Sequence, residues 1–215
     1  MKGLKTIFWD WNGTLLDDVE TCVGAINRML ERRALPCIDT DTYRGIFDFP
    51  VISYYEQLGF DLGREDWDAV AVEFHTHYAE LARTARLRDG VGEVLESLGA
   101  AIGGMSVLSA CEQSILERML TEHGIRQHFL QVSGLDNLHA ASKLANGKRL
   151  LRVLNLAPEE LVLIGDTNHD HEVATALGIR CLLLAGGHQA QSRLTATTVL
   201  PSLHRVADQI LVESG

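Results

Sequence analysis

The chain has 215 residues, 46% of them hydrophobic, with 29 Asp and Glu against 19 Lys and Arg for a formal charge of −10. This is ample for a buried core, and it gathers no basic stripe of the kind that would hold nucleic acid or an anionic membrane. Its length suits one core domain carrying an insertion better than two tandem domains.

Four scattered cysteines (Cys22, Cys37, Cys111 and Cys181) show no CxxC spacing, the chain opens on Met-Lys with no apolar leader, and no run is long enough to cross a bilayer. A reducing, cytoplasmic setting is the expectation, with Cys111 and Cys181 as core or near-core thiols.

In chain order, residues 5–10 read as a buried strand ending on Asp10. Residues 18–34 read as an amphipathic helix that stops before Pro36, followed by helices over 40–46, 51–58 and 64–86. This all-helical block lies between the first strand and the next and has the character of an insertion. After Asp89-Gly90 the pattern alternates: helix 91–98, strand 105–108, helix 112–123, strand 129–133, helix 143–154, strand 161–165, helix 172–177 and strand 180–184. Apolar strands separated by helices of this length predict an α/β fold, a parallel sheet covered on both faces. Gly186-Gly187 and residues 195–198 read as loops.

Two runs carry chemistry. Phe8-Trp9-Asp10-Trp11-Asn12-Gly13-Thr14-Leu15 brings a carboxylate to a strand tip that turns on glycine. Leu161-Val162-Leu163-Ile164-Gly165-Asp166-Thr167-Asn168-His169-Asp170 places one acid at a strand tip and another four residues on, at a helix entrance. Either alone could be an Asx turn or a helix cap. Both, about 155 residues apart at the carboxyl ends of predicted parallel strands, suit a nucleophilic carboxylate beside oxygen ligands for a hard divalent ion.

The first run resembles the opening motif of the haloacid dehalogenase superfamily, an Asp, any residue, a second Asp, then Gly-Thr; the second is similar to the superfamily's last motif. The stretch Tyr43-Arg44-Gly45-Ile46-Phe47-Asp48-Phe49-Pro50-Val51 resembles the corresponding segment of phosphoglycolate phosphatase-like members. The resemblance implies a Rossmann-like core over residues 1–16 and 88–215 and a small helical cap over 17–87. It implies hydrolysis of a small phosphorylated metabolite, a phosphoglycolate-like monoester, through an aspartyl phosphate on Asp10. Mg²⁺ would be held by Asp10, Asp166 and the Asn12 carbonyl, with Asp170 ligating or supporting.

The same resemblance points to Thr14, Ser109 and Ala110 as substrate contacts, and to a lysine that balances phosphate charge. Only Lys143 and Lys148 are placed for that; Lys143, just ahead of a helix, is the better candidate although Leu144 stands where the family has proline. Arg44 reads equally as a clamp on a substrate carboxylate and as a solvated helix-end charge.

Asn12 departs from the pattern, because the family's second aspartate protonates the leaving alcohol and activates water. Such acid–base help is worth about 10²–10⁴-fold. A specialised phosphatase in which another group takes over, a phosphate-binding or regulatory relative with little turnover, and an Asp-to-Asn change that traps a complex all fit. Phosphonate cleavage through a Schiff base does not, since no lysine lies between Lys5 and Lys143. Dehalogenation has little use for Asp166 and Asp170.

Among the remaining residues, His169 and His171 read as solvent-facing, and His188 as a loop residue that either touches substrate or decorates the surface. Trp9 points into the core and Trp11 toward the cap. Tyr54, Tyr55, His75, His77 and Tyr78 read as packing residues.

Overall fold

The computed structural model describes residues 3–140, 142–196 and 198–214. In chain order the elements are β1 (Thr6–Trp9), β2 (Leu16–Asp17), α1 (Val19–Arg32), α2 (Thr40–Ile46), α3 (Val51–Gln57), α4 (Trp67–Leu81), β3 (Arg86–Leu87), α5 (Val91–Ile102), β4 (Met105–Glu112) and α6 (Gln113–Glu122). They continue with β5 (Gln131–Leu135), α7 (Leu144–Leu154), β6 (Leu161–Gly165), α8 (Asn168–Leu177), β7 (Arg180–Leu184), β8 (Val199–Leu200) and α9 (Leu203–Ser214).

Six strands form one sheet in the order β5-β4-β1-β6-β7-β8, with every pair parallel. β1 is central: Trp9 lies opposite Val107 on one side and Ile164 on the other. The chain builds outward from β1 first in one direction and then in the other, so the ends of β1, β4 and β6 frame a topological switch point, where open α/β sheets bind ligands.

The two-residue period of β1 divides the core. Ile7 and Trp9 join the large cluster that includes Val94, Leu95, Leu116, Leu120, Val206 and Ile210 of α5, α6 and α9. Phe8 faces the opposite layer with Leu108, Leu163, Leu150, Val173 and Leu177, under α7 and α8.

α1 to α4 lie between the first strand and the rest of the sheet, and the chain leaves and re-enters through a two-residue antiparallel ribbon that pairs Leu16 with Leu87 and Asp17 with Arg86. α1 buries Cys22, Ile26, Met29 and Leu30, and Arg33 at its end pairs with Glu65 at 2.5 Å and Glu73 at 2.7 Å while its guanidinium lies 4.5 Å from the Phe60 ring centre.

Several elements differ from the sequence expectation, α5 running on to Ile102 and β5 lying at Gln131–Leu135. The helix expected over 64–86 is α4, because Asp66 caps its start by accepting from the Asp68 amide and the return ribbon takes residues 86–87. β4 runs on to Glu112. α8 begins at Asn168 rather than 172, set by a capping box between Thr167 and Asp170. β8 and α9, in the last part of the chain, add an edge strand and a helix that the periodicity reading did not include.

Candidate active site

The turn after β1 is tight: the Trp11 carbonyl accepts from the amides of Thr14, Leu15 and Leu16 at 3.3, 3.0 and 3.0 Å. Gly13 sits at φ +72, and a Cβ there would lie 2.3 Å from Oδ2 of Asp166. Glycine is therefore required twice over, by backbone conformation and by the approach of the two acidic motifs.

Asp10, Asp166 and Asp170 are buried, and one oxygen from each lies within 4.8 Å of the others. Lys143, 1% exposed at the start of α7, pairs with Asp10 at 2.7 Å and Asp170 at 2.5 Å. Lys148 lies on the exposed side of the same helix. Asp170 is anchored further, its Oδ2 accepting from the amides of Asp166 and Thr167 and from the Thr167 hydroxyl at 3.2, 3.0 and 2.7 Å. Asp166 accepts from the Thr14 hydroxyl at 2.8 Å and the His188 amide at 2.7 Å.

Burial pushes Asp10 up to about 7, with Asp170 and Asp166 adding to the rise against the attraction of Lys143. Burial likewise raises Asp166. Against its own burial, Asp170 is held below the ordinary carboxylate range by Lys143. Three carboxylates crowded around one ammonium form a donor set deficient in positive charge and made wholly of hard oxygens, which fits Mg²⁺.

A second buried network lies beside the first. Asp18, 0% exposed, accepts from the Asn12 side-chain amide at 2.6 Å, the Gly13 amide at 2.9 Å and the Tyr78 hydroxyl at 2.8 Å, and pairs with His188 Nε2 at 3.2 Å. The Asn12 amide also donates to the Tyr78 hydroxyl at 3.1 Å. The other nitrogen of His188 meets the Tyr43 hydroxyl at 2.8 Å. Against its burial, the Asp18 carboxylate pushes His188 up to about 9. Asp18, Cys22 and His188 are close enough to ligate a metal, yet Asp18 already has five donors against it, the Cys22 thiol at 3.7 Å among them, and the group reads as a closed polar network.

The placement of the expected residues is uneven. Ser109 and Ala110 line the pocket beside Asp10. Thr14 is fully buried with its hydroxyl engaged by Asp166. Arg44 points away from the pocket, donating to the carbonyls of Gly187 at 2.9 Å and Gly186 at 3.0 Å. Trp11 is fully buried, with its ring centre 5.8 Å from that of His123.

His169 is not solvent-facing: it is buried against Phe49, ring centres 4.4 Å apart, and burial pushes it down to about 4. Tyr78 does more than pack, since it closes the network around Asp18. The role of Asp18 and the inward orientation of His188 are not apparent in the sequence, where residue 18 only opens an amphipathic helix. The only local signal was an acid directly ahead of an apolar helix.

A model of the haloacid dehalogenase-like hydrolases matches residues 7–184. The phosphoglycolate phosphatase of Chromobacterium violaceum is 25% identical over 224 residues, covering 100% of this chain and 99% of that protein. Tyrosine-protein kinase PtkA of Mycobacterium tuberculosis is 27% identical over 199 residues, 91% of this chain and 68% of the kinase. Among solved structures, a haloacid dehalogenase-like hydrolase from Streptococcus pneumoniae superposes with a TM-score of 0.85 at 23% identity, over 98% of this chain and 100% of that one.

Proposed function

We propose, from the premise that the chain belongs to the haloacid dehalogenase-like hydrolases, that it is a Mg²⁺-dependent phosphatase acting on a small phosphate monoester with Asp10 as nucleophile. One observation carries this reading. Asp10 stands at the tip of the central strand and lines the pocket, with one oxygen paired to Lys143 at 2.7 Å and its other oxygen without a hydrogen-bond partner among the described residues. Attack by that oxygen on phosphorus forms an aspartyl phosphate, which water then opens.

Asp10, Asp166 and the Asn12 carbonyl would hold the ion, which when bound neutralises charge on the phosphoryl group and the carboxylates. Asp170 keeps Lys143 in place and is itself fixed by Thr167. Lys143 offers its ammonium to the nucleophile and to a phosphoryl oxygen, and Ser109, buried within β4, offers a hydroxyl. The block of residues 17–87 acts as a cap that shields the site from water. The name of the Chromobacterium relative supports a small ester as substrate.

The test is hydrolysis of a panel of small phosphate monoesters with Mg²⁺, by the native chain and by Asp10→Asn. The variant should lose about 10³-fold or more; undiminished turnover would remove Asp10 from its role. A second reading, a phosphate-binding protein with little turnover, is favoured by the engagement of the Asn12 amide with Asp18. Retained binding of Mg²⁺ and phosphate with no ester cleaved would select it.

A further inference from the structure

Apart from Lys143 and His188, the latter already paired with Asp18, the pocket presents mostly aromatic and aliphatic carbon, and the helical block brings no lysine or arginine to it. The pocket that runs from Asp10, Lys143 and Asp170 to the helical block has about 130 Å³ in all, of the order of the roughly 150 Å³ apolar cavity that accepts benzene, so whatever it holds beside a phosphoryl group must be small. The helical block gives its wall Tyr43, Phe47, Phe49, Tyr54, Trp67 and Phe74, and no Lys, Arg, Asp or Glu from α1 to α4 lines it among the described residues. Phe47 and Tyr54 meet edge to face at 5.4 Å, and Phe49 is stacked on His169.

The one basic residue the block contributes, His75, faces the Leu138 carbonyl at 3.2 Å and is held below its ordinary value by burial. Arg44 is engaged by Gly186 and Gly187, so a carboxylate or second phosphate on the substrate would find no partner there. Tyr54, 2% exposed, has a buried hydroxyl with no hydrogen-bond partner among the described residues. It leaves one polar contact open to a ligand.

An independent feature bears on the chemistry of the leaving group. The side chain at position 12 is an amide that donates to Asp18 and to Tyr78, and it has no acidic proton to give to a departing alkoxide. An alcohol near water in acidity, about 15.7, leaves poorly without that proton. A phenol, near 10 like tyrosine, leaves as the aryloxide.

Resting on the reading of Asp10 as nucleophile, we propose that the substrate is an aryl phosphate monoester whose ring is small, apolar and uncharged. An Asp10 oxygen bonds to phosphorus as the bond from phosphorus to the phenolic oxygen breaks, and that electron pair leaves with the aryloxide. Water then attacks the phosphorus and the bond to Asp10 breaks. The water oxygen and one of its protons depart in hydrogen phosphate, and the other proton neutralises the aryloxide.

The test uses the native chain with Mg²⁺ and three esters, phenyl phosphate, benzyl phosphate and phosphoglycolate, together with calorimetric binding of two non-hydrolysable analogues, phenylphosphonate and phosphonoacetate. Phenyl phosphate should exceed phosphoglycolate by at least 100-fold in kcat/KM, and phenylphosphonate should bind at least ten-fold tighter than phosphonoacetate. Because binding involves no leaving group, the analogue pair separates pocket preference from the intrinsic reactivity of phenyl esters. Benzyl phosphate should share the KM of phenyl phosphate with a much lower kcat.

Val51→Arg, which sets a cation in the wall at the start of α3, should shift both comparisons toward the carboxylate ligand. Preference of the native chain for phosphoglycolate and phosphonoacetate overturns the proposal and leaves the phosphatase reading standing. Equal kcat on benzyl and phenyl phosphate overturns the need for an acidic alcohol. Cleavage of none of the three esters overturns the phosphatase reading and the substrate with it.

Discussion

Replacing Asp18 by Asn removes one charge from the network around Asn12 and barely changes its volume. His188 ordinarily titrates near 6.5 and is pushed up to about 9 here, against its burial, chiefly by Asp18, with Asp166 and Asp10 adding to the rise. A lift of that size corresponds to about 3 kcal/mol of folding free energy. The depressed value of Asp18 expresses the same pair from the other side, so the interaction is counted once.

Because the folded value of His188 is raised, the stabilisation is complete below about 6.5, where folded and unfolded chains both carry the proton, and is lost as pH rises through about 9. Asp18→Asn should therefore lower stability by about 3–4 kcal/mol at pH 6, including the mismatch of an amide facing donors, and by only about 1 kcal/mol at pH 9.5. With an m of about 2–3 kcal/mol/M, the urea midpoint at pH 6 falls by somewhat more than about 1 M. The measurement is urea denaturation of both proteins in chelator at the two pH values. The same loss at pH 6 and pH 9.5 would show that the pair is not ionised and refute the reasoning.

Asn12→Asp should raise kcat on benzyl phosphate by about ten-fold or more, at least about 1.4 kcal/mol of barrier, with much less change on phenyl phosphate; because the new carboxyl lies against Asp18, urea denaturation should also find the variant less stable above neutral pH. Gly187→Ala should weaken Mg²⁺ binding in calorimetry by at least about ten-fold, since its Cβ would come within 2.2 Å of Asp166 Oδ2, whereas Gly92→Ala, with nothing within 4 Å, should bind as the native chain does. Arg33→Met should cost about 1–2 kcal/mol by urea denaturation, an amount discounted for partial exposure, because Glu65 and Glu73 lose their shared partner and Phe60 its cation.

The parts of the molecule legible in the sequence are those set by local pattern. The two acidic strand tips, the apolar run of β6 and the lysine ahead of α7 each announce themselves within ten residues. Asp18 does not, because its donors come from Asn12, Gly13, Tyr78 and His188, which meet only after the helical block packs on the sheet. Arg44 misled for the same reason: an exposed-looking helix-end arginine is local information, whereas the carbonyls it seeks lie more than 140 residues away. The start of α8 was hidden by Asn-His-Asp-His, a polar run without apolar periodicity that a capping box makes helical.

The loop after β7 is tied at many points to the segment around α2. Arg44 donates to Gly186 and Gly187, Gln189 donates to the Phe47 carbonyl at 3.0 Å, and Arg193 donates to Phe47 at 2.6 Å and pairs with Asp48 at 2.8 Å. From the same loop, the His188 amide donates to Asp166. Lifting α2 away from this loop must therefore either break these bonds or drag along the peptide that donates to Asp166. On the proposed reading, in which Asp166 holds the cation and the helices close over the substrate, admission of substrate and affinity for the cation would be two faces of one equilibrium: whatever fills the carboxylate cluster would favour the closed helices, and by reciprocity whatever holds the helices closed would tighten the cluster.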